Sequence, residues 1–308
     1  MENIDFKSHP LYKTYSFDDI FSQIYSFYKK YFKPLFLFSF ITSLITVIYL
    51  NTLVDVTAFQ LAEEPEELAE ILSREIVPIL GLSVLSLFFM IVLCHYIIYK
   101  PLDDSTTFVS SMTKSGSLLI PFAIATILYV FAFTLAFVLG ILVFVVGAIL
   151  TTTYMIIIGL IFIQVLLVEG PSIGNAINRS FKLAHKGIYA KIGWTLIVII
   201  AFAALSSILS GIVSLPFAGK YLFEVLESSE DVVEASYLSN PIYLILSALV
   251  TSLFRPIFPI FGVMLYMDGL AKDNASTQDN IIIDSQEEYT TESSDDDEIV
   301  TDEDFNID

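Results

Sequence analysis

Six apolar runs recur along this 308-residue chain, each long enough to cross a hydrocarbon layer of about 30 Å as a helix. They cover approximately Leu35–Val54, Ile76–Tyr99, Leu118–Leu139, Gly147–Val168, Ile192–Val213 and Ile242–Leu270. The third and fourth are parts of one stretch, Leu118–Val168, of 51 residues without Asp, Glu, Lys, Arg or His. As one helix it would be roughly 77 Å long, so it must cross, turn and cross back. Gly140 and Gly147 alone look like turn residues, which places the turn between them. A backbone in lipid has to satisfy its own polar groups, so every span is helical. The expected fold class is all-α: a polytopic membrane protein with six transmembrane helices.

Two segments outside the spans carry a helical period of their own. After a capping-box-like Ser16 and Asp19, the residues Phe17, Ile20, Phe21, Ile24, Phe27, Tyr28 and Tyr31 recur on one face, with Lys29, Lys30 and Lys33 behind them. In Ser172–Lys191, Ile173, Ala176, Ile177, Phe181 and Leu183 oppose Arg179, Lys182 and Lys186. Each segment precedes a span, and both are expected to be cytoplasmic interfacial amphipathic helices. At an offset of 156 residues, Phe17, Ile20, Phe21 and Lys30 fall on Ile173, Ala176, Ile177 and Lys186. That register predicts an internal repeat of interfacial helix plus hairpin, with Asp103–Ser117 as a degenerate copy.

Charge orients the spans. Twelve basic residues (Lys7, Lys13, Lys29, Lys30, Lys33, Lys100, Lys114, Arg179, Lys182, Lys186, Lys191, Lys272) fall on one side and only Arg74 and Lys220 on the other. This asymmetry predicts cytoplasmic N- and C-termini. Of 34 acidic residues, 14 lie in residues 273–308, which hold no Lys or Arg, so most of the net charge of −19 sits there. The chain therefore divides into an N-terminal cytoplasmic segment (1–15), a membrane domain (16–272) and a disordered acidic tail (273–308). The tail is read either as a solvated terminus or as a docking peptide for a basic cytoplasmic protein. The other expected partner is the lipid bilayer; the basic residues are too few for nucleic acid.

Little in the chain looks like reaction chemistry. The single cysteine, Cys94, and the scattered His9, His95 and His185 show no metal-ligand spacing. No phosphate loop, nucleophile elbow, zinc-protease motif or dinucleotide fingerprint is present, so neither an enzyme nor a cofactor is expected. Arg255 stands out as the one charged residue in the middle of a span. There it costs at least about 2.5–3.5 kcal/mol and needs a partner. Pro256 and Pro259 follow it, so the helix is expected to break there. Arg255 reads either as a ligand site for an anion or lipid phosphate, or as an arginine that snorkels or pairs internally. Glu169 and Asp268 lie at span ends, where a Glu169–Arg179 or Asp268–Arg179 ion pair would fix the second amphipathic helix.

The segment Val168-Glu169-Gly170-Pro171-Ser172, Ala176 to Leu183, and Lys186-Gly187, together with Leu265 to Leu270 closing the last span, resembles the membrane domain of some glycerophosphoryl diester phosphodiesterases. That domain also occurs in stand-alone bacterial membrane proteins. The resemblance covers roughly residues 14–272. The closing motif departs from the family pattern by lacking its arginine, with Gly269, Leu270 and Lys272 around that place. The resemblance implies a multi-pass topology and a location in a bacterial cytoplasmic (inner) membrane, and implies no hydrolysis. The expected function is a non-enzymatic membrane module or scaffold for envelope lipid and protein assemblies; the alternative is a transporter or lipid-handling permease with a midplane cavity near Arg255.

Overall fold

The structure, a computed structural model, describes residues 5–55, 58, 64–170, 172–227 and 240–292, with the backbone path alone for 218–227 and 278–292. Among these there is no β-strand. The helices are α1 (Asp19–Lys30), α2 (Phe32–Leu53), α3 (Pro65–Tyr99), α4 (Phe108–Ile141), α5 (Phe144–Val168), α6 (Ile173–His185), α7 (Ile188–Glu227), α8 (Pro241–Phe254) and α9 (Ile257–Glu292). Six stretches are long and apolar enough to cross a membrane, α8 and α9 counting together as the last. The chain is thus an all-α, multi-pass membrane bundle.

Most helices overrun the apolar runs that announce them, because capping and polar turns extend a helix beyond its hydrophobic part. Pro65 occupies the first turn of α3, where a missing N–H is harmless. Thr107 and Ser110 form a reciprocal capping box ahead of α4. The Asn240 side chain accepts from the amides of Ile242 and Tyr243 at the start of α8. The turn in the central hairpin occupies Leu142 and Val143, inside the expected window. Phe144 follows at φ 66°, a conformation that bulky residues rarely hold. Gly140 and Gly147 let the two arms meet there: a Cβ on Gly147 would fall 2.6 Å from the Gly140 carbonyl oxygen.

The spans form three hairpins, each with an outer helix followed by an inner one: α2–α3, α4–α5 and α7–α8/α9. The C-terminal parts of α3 and α5 and the N-terminal part of α9 hold most of the core, with Ile91–Ile98, Ile157–Leu167 and Ile260–Asp268 largely inaccessible. By contrast, α4 and α7 turn Ile120, Ile127, Phe131, Ile200 and Ile208 outward, as lipid-facing helices do.

The internal repeat has a structural counterpart. Ile20, Ile24, Phe27, Leu35, Ser39 and Thr42 are all buried, and so are Ala176, Ser180, Leu183, Lys191, Thr195 and Val198, each 156 residues on. The short helices α1 and α6 both pack on α9 and each leads into an outer helix. Equivalent positions thus face inward in α1–α2 and α6–α7, although the residue types differ.

One division of the chain needs correcting. The expected border at Lys272 between membrane domain and disordered tail does not hold, because α9 continues as one helix to Glu292. Residues 273–277 belong to the packed body. The tail beyond Glu292 lies outside the described residues.

Candidate functional site

The polar chemistry of the molecule gathers at the end that carries α1 and α6, here the basic end. Asp268, on the last buried turns of α9, is fully inaccessible. Its carboxylate accepts from the Lys272 ammonium at 2.8 Å, one turn along the same helix face, and from the Tyr15 backbone amide at 3.1 Å. The Lys191 Nζ, near the start of α7 and equally buried, stands 3.6 Å away and donates to the Leu183 carbonyl at 2.6 Å. This approach depends on Gly269, where a Cβ would sit 3.1 Å from the Leu183 side chain and carbonyl. One carboxylate therefore ties α9, α7 and the segment before α1.

About one and a half turns on, Asp273 forms a second node. Arg179 and Lys182 on α6, and Lys186 at its C-terminal cap, converge on it at 2.7, 3.1 and 3.6 Å. The Arg179 Nε also reaches Glu169, at the end of α5, at 3.2 Å, and Tyr266 donates to the same Glu169 oxygen at 3.2 Å. Burial alone would lower the pKa of the Arg179 guanidinium, but the Asp273 and Glu169 carboxylates outweigh it and hold it above its ordinary value. Of the two ion pairs expected for Arg179, the structure makes the one with Glu169. Asp268 turns instead to the two lysines, and Arg179 takes Asp273 as its other carboxylate.

The residues before α1 are a strap across the basic end, more than the plain polar segment expected. His9, Leu11 and Tyr15 are buried. The His9 Nδ1 accepts from the Leu11 amide at 3.1 Å, so Nε2 carries the proton and donates to the Ile97 carbonyl of α3 at 3.3 Å. Burial lowers the His9 pKa to about 4, so the ring is neutral at physiological pH. Tyr12 accepts from Asn274 at 2.8 Å and closes the strap onto α9.

Arg255 lies apart from both nodes, in the break between α8 and α9. Its Nη1 is 3.4 Å from the Ser43 hydroxyl of α2, and its guanidinium sits 5.8 Å from the centre of the Phe89 ring. No acidic side chain is within ion-pair distance of it among the described residues. Pro256 deprives the Ser252 carbonyl of its helical partner, and the neighbouring Leu253 carbonyl is taken by the Tyr28 hydroxyl of α1 at 2.8 Å. Apolar grooves lie elsewhere among the described residues. One of about 330 Å³ between α3, α4 and α5 is lined by residues such as Leu87, Phe122, Tyr129 and Gly159.

His95 and Gln164 pair with side chains of neighbouring helices. His95 Nδ1 is 3.1 Å from the Ser111 hydroxyl, and the Gln164 amide lies 3.5 Å from Cys94 Sγ. No group of three His, Cys, Asp or Glu able to hold a metal occurs among the described residues.

The chain matches no family model, no curated protein and no solved structure. Sequence reasoning found Glu169, Arg179 and Asp268 but missed Asp273, Lys191 and the strap. Lys191 carried a usable signal, since it falls on buried Leu35 at the repeat offset.

The double node makes a specific prediction for α6. Asp273→Asn leaves three cations crowded together without their shared carboxylate. Hydrogen exchange over residues 173–185 should then speed up at least tenfold while the core of α3 stays protected. Unchanged exchange in α6 would show that Asp273 does not hold this helix.

Proposed function

We propose that this chain is a non-enzymatic integral membrane module that organises lipid or protein assemblies of a bacterial cytoplasmic membrane. The observation that supports it best is the way the polar groups of the basic end are used. Glu169, Asp268 and Asp273 are each bound to cations from another helix, so the cluster works as a lock between helices. It offers no free nucleophile beside a free base, the arrangement acyl or phosphoryl transfer would need. Five cations face three carboxylates in this cluster, a surplus that suits an anionic leaflet. The short motif around Glu169 and Arg179, and its likeness to the phosphodiesterase-associated membrane domain, supports the same reading.

In this reading the basic end is cytoplasmic and α1 and α6 lie at that membrane surface, with residues beyond Glu292 free to meet a basic partner. The opposite end carries Arg74, paired with Glu75 at 2.8 Å and Asp55 at 3.2 Å. The permease alternative draws on one observation, the absence of a carboxylate beside Arg255.

Sidedness is tested in a Cys94→Ser background. Glu66→Cys should react with an impermeant maleimide on intact cells, and Lys114→Cys only after permeabilisation; the reverse pattern would invert the topology. The module reading itself predicts a complex of fixed stoichiometry that survives purification of the full chain and is weakened by ending it at Glu292. Solute or lipid flux in liposomes containing the purified protein alone, with no such complex, would support the permease.

A further inference from the structure

We infer that Arg255 binds the acidic headgroup, phosphate or carboxylate, of an anionic amphiphile that reaches it from the lipid phase. The position is central: Arg255 follows the first residue of α8 by 14 positions and precedes Asp268 by 13. At about 1.5 Å per residue that places it roughly 20 Å from either end of its span. A guanidinium offers five N–H donors in a planar fork, and here the protein engages it through one long hydrogen bond to Ser43 and the face of Phe89.

Among the described residues no acid completes this site. Glu169, Asp268 and Asp273, the carboxylates of the two nodes, are committed to their own cations. A second copy would not help, since the described spans carry no Asp or Glu at this level. Hydroxyls, however, are at hand: Ser43 is buried beside the guanidinium, and Ser39, one turn away on the same helix face, has a buried oxygen with no partner. The break at Pro256 keeps α8 and α9 from closing into one continuous helix here.

The direction of approach selects the ligand. Phe36, Phe40 and Val47 of α2, which lie beside Ser43 on the same helix face, are apolar and only partly covered, so the surroundings admit acyl chains in preference to hydrated ions. Arg255 is itself only partly covered. A phosphate or carboxylate drawn to this depth would pair with the fork in the bidentate manner that favours arginine over lysine. The inference goes beyond the module reading, because a bound headgroup suits a fixed assembly site as well as a permease.

The full-length protein, purified in phosphatidylcholine with a minor share of phosphatidylglycerol, tests this by native mass spectrometry. Wild type should retain one phosphatidylglycerol with at least tenfold preference. Arg255→Gln should abolish that preference, and Lys33→Gln, an exposed cation of the basic end, should leave it intact. Loss with Lys33→Gln but not with Arg255→Gln would reduce the effect to surface attraction and overturn the site. Displacement of the lipid by millimolar inorganic phosphate would make the ligand a soluble anion and overturn the amphiphile. Should Arg255→Gln fail to fold, wild type alone decides. A phosphatidylglycerol analogue with a photoreactive headgroup should crosslink to peptides containing Ser43 or Arg255, and crosslinks confined to the basic end would contradict the inference.

Discussion

The buried carboxylate of Asp268 is the constraint around which the rest of the basic end is arranged. Taking a carboxylate and an ammonium out of water costs several kcal/mol each, and they stay charged only if their geometry repays it. Asp268 repays it three ways, through Lys272 on its own helix, Lys191 from α7 and the Tyr15 amide from the strap. Removing the carboxylate would strand the buried Lys191 ammonium. In a bilayer this matters more than in water, because lipid is as apolar as the helices and gives no hydrophobic drive to bring them together. Close packing, as at Gly140 and Gly147, and polar ties at the helix ends have to do that instead.

The three-hairpin plan explains why the ties sit where they do. The inner helices α3, α5 and α9 converge at the basic end, and α1 and α6 close over it. The register of 156 residues brings Leu35 and Lys191 to matching buried positions, yet one is an aliphatic side chain and the other a paired cation. The two halves share a packing scheme and have diverged in chemistry, with the charged hub built only in the second.

The spans were legible because uncharged runs of this length have no other explanation. The break at Arg255–Pro256 was equally plain, since proline cannot continue the hydrogen-bond ladder. What composition concealed was the start of the tail: Asp273 opens the acidic stretch, so it reads as solvated, whereas it faces three cations on α6 and its C-terminal cap. The strap was hidden for the opposite reason. His9, Leu11 and Tyr15 are too few and too irregularly spaced to show a period, and their burial depends on surfaces of α1, α3 and α9 that exist only in the folded bundle. The choice of partner for Arg179 was open for similar reasons. Helix spacing told which residues share a face but not which carboxylate a neighbouring helix presents.

The most direct test is a double-mutant cycle on Asp268 and Lys191, with unfolding of the purified full chain measured in mixed micelles. Asp268→Leu strands buried Lys191 and should cost about 3–5 kcal/mol. Adding Lys191→Met to it should cost at least about 1 kcal/mol less than the two single changes summed. Strict additivity, or an Asp268→Leu protein as stable as wild type, would contradict the claim that this buried pair holds the fold together.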